Sequence, residues 1–191
     1  MYSFGCIEST YNPNDNIFSV DSVQIPNEYT LRDILPVQNQ GNIGACVSYV
    51  ATEMLNFYSL QRNFVFKPDW TEFYYDRKNK EYDGMMPREA FEIMVNDGRI
   101  KSFAKINNPL SLRYSILSHG PALLAFIARS ENADFWNGSS ILGGHAVACV
   151  GYNNEGLILK NSWGYEWGNG GYTKLPYSDF GKISEAWTIL S

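Results

Sequence analysis

The chain has 191 residues, of which 45% are hydrophobic and 18% are charged, so it can bury a sizeable core and is not expected to be disordered. Its 20 acidic residues outnumber its 15 basic residues, and this acidic balance argues against a nucleic-acid-binding protein. No stretch approaches the roughly 18 consecutive apolar residues of a transmembrane helix, so no membrane partner is expected. The N-terminal residues lack the features of a secretory signal. A cytoplasmic location is therefore the default expectation, with export by another route or packaging in a virus particle left open.

Residues 1–30 carry no helical period and contain two turn-rich clusters, at 12–16 and 26–27. We expect this stretch to form an extended arm, because its scattered apolar residues favour packing against the rest of the chain. Two arrangements are open. The arm, with Cys6, lies along a cleft as a plug and regulates the protein, or it packs on the back of the folded domain.

Four helices are predicted after the arm. Apolar residues recur at every third or fourth position through 46–61, which is typical of an amphipathic helix. Asp69, with Glu72 three residues later, resembles a capping box and predicts the start of a second helix. Proline in the first turn and glycine beyond the end indicate two more helices. The third runs from about Pro87 to Asp97, and the fourth begins after Pro109 and ends before Gly120.

After Pro121 the pattern changes to short apolar or alternating runs that are bounded by Gly, Asn or Pro, and such runs are typical of strands. Because helices come first and strands later, the sequence predicts an α+β fold. The predicted strands are 122–128, 145–152, 156–160, 171–175 and 186–190.

The three cysteines and two histidines include no Cys-x-x-Cys pair. This set is typical of reduced thiols and can hardly supply a zinc site, so neither a metal nor a cofactor is expected. Cys46 stands at the predicted N-terminus of the first helix, directly after a loop with two glycines. The unpaired N–H groups and the helix dipole at that position stabilise a thiolate, which makes Cys46 a candidate nucleophile.

His145 begins one predicted strand and Asn161 ends the next, so a hairpin between these strands would bring the two side chains together. Asn161 would then fix the imidazole tautomer, as the third member of a Cys–His–Asn arrangement. The side-chain amide of Gln40, six residues before Cys46, is a candidate partner of the Cys46 backbone N–H in stabilising an oxyanion.

Three segments of the chain resemble the papain family of cysteine peptidases. Residues 37–46 resemble the segment around its nucleophile, residues 144–152 its histidine segment and residues 160–172 its asparagine segment. The resemblance covers most of residues 30–191. Residues 29–32 and 175–177 make it most similar to the short, disulfide-free bacterial and viral branch. Ile43 stands where secreted members carry a disulfide cysteine, so that bridge is missing, which agrees with a reducing compartment.

The resemblance implies a papain-like domain over residues 31–191 with two lobes. A helical lobe would cover about 31–105, and an antiparallel β-barrel lobe would cover about 106–191. The cleft between them would bind an extended polypeptide, its substrate. The N-terminal arm at 1–30 is the other candidate occupant of this cleft, and it is too short to be a full-length helical pro-region.

Each role in the site is likewise implied by the resemblance. Gln40 would be the oxyanion donor, Cys46 the nucleophile, His145 the general base and acid, and Asn161 the residue that orients the imidazole. Cys46 and His145 would rest as a thiolate–imidazolium pair. Trp163 would cover the His–Asn hydrogen bond. The residues implied to bind substrate, some in the main side-chain pocket, are Gly84, Met85, Ala122, Ala146 and Trp163.

The sequence therefore favours a cysteine endopeptidase that hydrolyses peptide bonds through a thioester. A transpeptidase, deamidase or isopeptidase on the same scaffold would use the same intermediate, and the sequence does not separate these enzymes from a hydrolase. A non-catalytic peptide-binding module is a further alternative. The presence of all four candidate catalytic residues weighs against it, because binding alone would not require them.

Overall fold

A computed structural model of the chain describes residues 2–63 and 69–190. The first residue of the predicted arm, five residues of the predicted helical lobe and the last residue of the chain lie outside the described residues. The four predicted helices are all present, and each begins within a residue of its predicted start. They are α1 (Cys46–Gln61), α2 (Trp70–Asp76), α3 (Pro87–Asn96) and α4 (Pro109–His119).

Side-chain caps explain where two of the helices begin. The Asp69 carboxylate accepts a hydrogen bond from the Thr71 N–H at 3.0 Å, at the start of α2. The Asn108 side chain accepts one from the Ser111 N–H at 2.8 Å, at the start of α4. Each cap satisfies an N–H group that has no partner within its helix. Glu72, the other member of the expected capping box, instead pairs with Arg99 at 2.7 Å.

Eight strands form one sheet in the described part of the chain. Its order is β1-β3-β8-β4-β5-β6-β7, and β2 pairs with β5. Every pairing is antiparallel except that of β1 with β3. The strands are β1 (Ile17–Phe18), β2 (Tyr29–Thr30), β3 (Ser102–Ile106), β4 (Ala122–Ala128), β5 (Gly143–Tyr152), β6 (Gly156–Lys160), β7 (Tyr172–Pro176) and β8 (Ile183–Leu190).

All five predicted strands are present, and β4 and β6 have the predicted bounds. The structure adds β1 and β2 within the arm, and β3 across the predicted lobe boundary at residues 105 and 106. The helices, mostly in the first half of the chain, and the sheet, mostly in the second, confirm the α+β prediction. Among the described residues, no helix is long and apolar enough to cross a membrane.

One apolar core joins the helices to the sheet. Twelve of the 16 residues of α1 are buried, because α1 packs against α2 on one side and against β5 on the other. A buried ion pair also crosses between α1 and the sheet. Lys160 at the end of β6 pairs with Glu53 in the middle of α1, and both side chains are almost fully buried. The link places α1 beside the end of β6, from which Asn161 extends.

The arm is built into the fold over its second part, residues 15–31. Its strands β1 and β2 pair with β3 and β5. The Asp15 carboxylate is 5% exposed, and it pairs with Arg88 at the start of α3 and with Lys105 of β3. The Leu31 N–H donates to the Val150 carbonyl at 2.9 Å. This stretch is therefore an integral part of the sheet and the helical layer.

Candidate active site

Cys46 is the first residue of α1, and its position is fixed by the loop before it. The Gly44 N–H donates to Asp83 Oδ2 at 3.0 Å, and the Tyr74 hydroxyl donates to Asp83 Oδ1 at 2.5 Å. A Cβ atom at Gly44 would lie 2.1 Å from the Asp83 carbonyl oxygen, so this approach requires glycine. Cys46 itself is fully buried, with 0% of its surface exposed.

His145 and Asn161 meet across the β5–β6 hairpin, as the sequence predicts. His145 Nε2 lies 2.7 Å from Asn161 Oδ1. The Ser162 N–H also donates to Oδ1, at 2.8 Å, which identifies this atom as the oxygen of the amide. In the neutral imidazole, Nε2 is therefore the N–H donor and Nδ1 is the basic nitrogen. Nδ1 is buried and has no hydrogen-bond partner among the described residues.

Aromatic rings cover this pair. Trp163 is 2% exposed and stacks on the His145 imidazole, with ring centroids 4.2 Å apart and planes at 22°. Phe135 packs edge-on against His145 at 5.3 Å. Because these rings exclude water, the hydrogen bond between His145 and Asn161 lies in a low-dielectric environment and is strengthened.

Gln40 sits beside the same hairpin and points its side-chain amide into the cleft. Its Oε1 accepts a hydrogen bond from the Ser162 hydroxyl at 2.6 Å. The amide nitrogen, Nε2, is therefore the atom that donates towards the cleft. Nε2 donates to the Ile43 carbonyl at 2.8 Å and to the Ser3 carbonyl at 3.1 Å. The second of these acceptors belongs to the N-terminal arm.

The first residues of the arm, 2–9, run through the site, and we call this segment the plug. The backbone of Gly5 lies at the Cys46 thiol. The Cys6 N–H donates to the Gly144 carbonyl at 2.9 Å. On the other wall of the cleft, the Met85 N–H donates to the Gly5 carbonyl at 2.9 Å, and the Ile7 N–H donates to the Met85 carbonyl at 3.1 Å. The plug thus makes strand-like backbone bonds to both walls.

Side chains hold the two ends of the plug. Tyr2 stacks on Trp163 with ring centroids 4.6 Å apart, and Phe4 packs edge-on against Trp163 at 5.6 Å. At the far end, the Ser9 N–H donates to Glu185 Oε1 at 2.7 Å. Residues 2–9 of the arm therefore contact the candidate catalytic residues, whereas residues 15–31 pair with the sheet. A regulatory role of the arm stays a prediction.

Burial in the occluded site keeps the two titratable groups neutral. It raises the pKa of the Cys46 thiol to about 11, and hydrogen bonds to the backbone of Ala146 and Gly5 oppose the rise. It lowers the pKa of His145 to about 4, against the opposing effect of the hydrogen bond to Asn161. At neutral pH the occluded site therefore favours a thiol and a neutral imidazole over the predicted thiolate–imidazolium pair.

Four of the five residues predicted to bind substrate contact the plug or the thiol. Met85 and Trp163 do so as described above, and Ala146 contacts Cys46 through its backbone. A Cβ atom at Gly84 would lie 2.4 Å from the Gly5 carbonyl oxygen. Ala122 lies elsewhere on β4, opposite Cys149, whereas Ala125 is the β4 residue opposite Ala146. The role of Ala122 in the pocket stays a prediction, and the strand register favours Ala125.

Sequence reasoning missed several residues that shape the site. Glu185 carries no motif, and its carboxylate reaches the cleft only because β8 pairs with β4, where Glu185 lies opposite Ala125. Asp83 directly precedes Gly84, which the resemblance implies binds substrate, but its bond to the Gly44 loop depends on tertiary contact. The Ser162 hydroxyl follows Asn161 directly in the matched asparagine segment, which was a usable signal. No group of side chains suited to a metal ion occurs in residues 2–63 and 69–190.

The arrangement combines a thiol, a basic imidazole nitrogen and an amide donor around one peptide segment. Residues 71–186 match the family described as "Papain family cysteine protease". Among curated relatives, fruit bromelain of Ananas comosus is 26% identical over 83% of this chain and 58% of its own length. Viral cathepsin of Adoxophyes honmai nucleopolyhedrovirus is 27% identical over 73% of this chain and 52% of its own length. The chain thus covers between half and three fifths of the length of these relatives.

Solved structures share the fold. Xylellain, a cysteine protease from Xylella fastidiosa, superposes with a TM-score of 0.82 at 20% identity, covering 100% of this chain and 96% of its own. The bromelain protease from Ananas comosus in complex with the E64 inhibitor superposes with a TM-score of 0.69 at 22% identity, covering 87% of this chain and 100% of its own. Because the family match extends over more than half of the sequence, the chain belongs to the papain family of cysteine proteases.

Proposed function

We propose that the protein is a cysteine endopeptidase whose catalytic residues are Gln40, Cys46, His145 and Asn161. The observation that carries this proposal is the path of the plug. A peptide backbone already passes these side chains, with one carbonyl on the Gln40 amide and the next residues at the Cys46 thiol. The site is therefore shaped for an extended polypeptide.

In the open enzyme, Cys46 transfers its proton to His145 Nδ1 and the thiolate attacks the substrate carbonyl carbon. The Gln40 amide and the Cys46 backbone N–H donate to the resulting oxyanion. His145 then protonates the leaving amine, which leaves a thioester on Cys46. Water activated by His145 hydrolyses the thioester. Asn161 holds the imidazole in the tautomer that keeps Nδ1 basic throughout.

We further propose that the plug inhibits the enzyme, and its direction supports this. The resemblance implies that the segment at Asp83 and Gly84, directly before Met85, pairs with the residues before a substrate's scissile bond. In the plug, the residues that pair there are Gly5 and Ile7, which follow the Ser3 carbonyl at Gln40. The plug therefore runs opposite to a substrate. It fills the cleft without presenting its own peptide bonds in the orientation for cleavage.

The test is intact mass after exposure to a peptidyl epoxide that alkylates papain-like thiolates. The full chain, a chain that begins at residue 12 and Cys46→Ala in that shorter chain are compared. We expect single, fast labelling of the shorter chain, labelling of the full chain that is slower by tenfold or more, and none of Cys46→Ala. A folded shorter chain that takes up no label and cleaves no peptide would contradict the peptidase proposal.

Point variants test the plug separately from the catalytic residues. Removing the Tyr2 or Phe4 ring deletes a contact with Trp163, and aromatic pairs of this kind contribute about 0.5–1.5 kcal/mol beyond the area they bury. Tyr2→Ala and Phe4→Ala should each speed labelling of the full chain by about threefold to tenfold. The matched control is Tyr11→Ala, because the Tyr11 ring is 86% exposed. Equal rates in all three variants and the wild type would rule out a plug held by these rings.

A further inference from the structure

The N-terminal end of the plug contacts a carboxylate that the proposed mechanism does not use. The Tyr2 N–H donates to Glu131 Oε1 at 2.8 Å, and the Tyr2 ring stacks on Trp163. Glu131 forms no ion pair within residues 2–63 and 69–190. Its negative charge therefore faces whatever polypeptide takes the place of Tyr2 in the cleft.

The loop between β4 and β5 fixes the position of Glu131. Trp167 Nε1 donates to the Glu131 carbonyl at 2.8 Å, and the Arg129 N–H donates to the Phe135 carbonyl at 2.7 Å. Phe135 and Trp167 both pack against Trp163, with ring centroids 5.8 Å and 5.4 Å away. Because the loop is joined to the rings that cover the candidate catalytic histidine, the carboxylate has a set position relative to the site.

The direction of the plug shows which part of a substrate reaches Glu131. The plug pairs with Met85 through Gly5 and Ile7, on the side where the residues before the scissile bond are expected. Tyr2 lies at the opposite end of the plug, at Glu131. The residues after the scissile bond of a substrate therefore pass Glu131.

The number of backbone bonds identifies the substrate residue that Glu131 faces. The Ser3 carbonyl accepts from Gln40 Nε2 at 3.1 Å, where the carbonyl of the residue before the scissile bond would lie. Five backbone bonds lead from the Ser3 carbonyl carbon to the Tyr2 nitrogen at Glu131. In a substrate that runs the opposite way, five bonds from that carbonyl carbon lead to the Cα atom of the second residue after the scissile bond. The side chain of this second residue therefore begins beside the Glu131 carboxylate.

We propose that Glu131 is a specificity-determining residue, which selects lysine or arginine as the second residue after the scissile bond. This inference rests on the proposed peptidase function. A cationic side chain forms a charge-assisted hydrogen bond with the carboxylate, whereas an acidic side chain at the same place is repelled. The carboxyl group of a substrate that ends at this residue is also repelled. Glu131 thereby favours cleavage within a chain over removal of a C-terminal dipeptide.

The net charge of the whole chain has to be separated from the effect of Glu131. The chain carries a formal charge of −5, so it attracts cationic peptides in general. This attraction acts over a screening length of about 8–10 Å in physiological salt, and it does not depend sharply on which residue of a peptide carries the charge. An effect of Glu131 is confined to one substrate position.

Competition between peptides in one reaction tests the proposal. Two peptides of one sequence carry lysine or glutamate as the second residue after the cleaved bond, and a second pair carries them as the fifth residue. Mass spectrometry identifies the cleaved bond, and the ratio of initial rates gives the ratio of kcat/KM. This ratio does not depend on the fraction of molecules whose cleft is open, so the full chain is used together with the chain that begins at residue 12.

We expect lysine to be preferred over glutamate by about fivefold to twentyfold at the second position and by less than about twofold at the fifth. Glu131→Gln keeps the shape and a hydrogen-bond acceptor but removes the charge, so the first ratio should fall below about twofold. Glu131→Lys should reverse it. The matched control is Asp134→Asn, which removes a charge from an exposed position of the same loop and should leave the ratio unchanged.

A pair of peptides that end at the second residue tests the effect on a free C-terminus. One ends in a carboxylate and the other in an amide. We expect the amide to be cleaved faster, by about fivefold or more, and the difference to shrink to about twofold or less in Glu131→Gln.

The outcomes separate this inference from the proposed function. Equal preferences at the second and fifth positions would overturn the role of Glu131, as would a ratio that stays unchanged in Glu131→Gln or falls equally in Asp134→Asn. If neither chain cleaves any of the peptides, the proposed peptidase function is contradicted, and this inference fails with it.

Discussion

Gln40 holds its side-chain amide between two carbonyl oxygens, one from its own loop and one from the plug. Its other amide atom is fixed by the Ser162 hydroxyl, so the donor direction is set before any substrate binds. A donor fixed in advance stabilises charge that develops in a transition state without the cost of reorganisation. A substitution of Gln40 therefore tests the oxyanion step of the proposed mechanism directly.

We predict that Gln40→Ala, made in the chain that begins at residue 12, lowers kcat on the order of 100-fold to 1000-fold, the usual effect of losing one oxyanion donor. Cys46→Ala should remove turnover altogether. Gln24→Ala, at an exposed position in the second part of the arm, is the control and should leave kcat unchanged. Steady-state hydrolysis of a fluorogenic peptide provides the measurement, and wild-type kcat in Gln40→Ala would remove Gln40 from the mechanism.

The buried thiol of Cys46 makes binding of the plug sensitive to alkaline pH. The pKa of Cys46 is about 11 under the plug, against roughly 8.5 for a free cysteine. In the open form the proton passes from Cys46 to His145, and the pair loses it to water at a lower pH than the plugged thiol does. Raising the pH therefore favours the open form by up to tenfold per pH unit for one such group, and below about pH 8 the plug binds at full strength.

We predict that the ratio of epoxide-labelling rates, the chain from residue 12 over the full chain, falls as the pH rises from 8 to 10. Taking the ratio cancels the intrinsic reactivity of the thiolate. Burial and the neighbouring Cys46 charge also raise the pKa of Cys6, so Cys6→Ser is needed to isolate the effect of Cys46. A ratio that stays constant or increases in Cys6→Ser would exclude Cys46 as the titrating group.

At the scale of elements, residues 15–31 of the arm show how one buried carboxylate can hold a segment of chain in place. The Asp15 carboxylate forms ion pairs with Arg88 and Lys105, and the Asp15 side chain is 5% exposed. Removing one partner of a buried ion pair costs about 3–5 kcal/mol, because the remaining charge stays uncompensated. The loss falls on the α3–β3 region as well as on the arm.

We predict that Asp15→Asn lowers the Tm of the full chain by about 10 °C, from that free energy and the usual 2–4 °C per kcal/mol for a chain of this size. Asp21→Asn, at an exposed position, should shift the Tm by no more than about 1–2 °C. Thermal unfolding followed by circular dichroism gives both values. Equal shifts in the two variants would show that Asp15 does not anchor residues 15–31.

The helices and five of the strands were predictable because their signals are local. Apolar periodicity, caps such as Asn108, and bounding glycines and prolines act within a few residues of the element that they define. The strands β1 and β2 are only two residues each, and they exist because of partners more than 80 positions away. A single sequence carries no local signal for such pairing.

The same contrast divides the candidate site. The motifs around Cys46, His145 and Asn161 lie within short segments, and the hairpin that joins His145 to Asn161 followed from the order of strands. The placement of the plug did not, because its partners Gln40, Met85 and Glu185 are scattered over the chain. Its apolar residues showed that the segment packs against something, but they did not show what.

At the scale of the whole molecule, the link between Glu53 and Lys160 joins the helical region to the sheet. The Leu35 N–H donates to Glu53 Oε1 at 2.9 Å, and Lys160 also donates to the Leu35 carbonyl. Both charged groups are therefore paired and hydrogen-bonded where water is excluded. Cys46 begins the same helix as Glu53, and Asn161 follows Lys160, so the link also sets the distance between the two sides of the site.

We predict that Glu53→Gln lowers the free energy of unfolding by about 3–5 kcal/mol. Glu155→Gln is the matched control, because Glu155 pairs with Lys174 at the surface, where ion pairs contribute little to stability. Urea titration of both variants measures the difference. A loss in Glu53→Gln as small as that in the control would mean that the link does not hold the two sides together.

The plug also bears on how fast oxidants and alkylating agents modify the Cys46 thiol before the cleft opens. Oxidants and alkylating agents attack the thiolate, and a thiol whose pKa is about 11 is ionised in only about one molecule in ten thousand at pH 7. A free cysteine would be ionised in about three molecules in a hundred at the same pH. Under the proposed inhibition by the plug, the occluded protein would be a storage form, in which Cys46 is preserved chemically until the cleft opens.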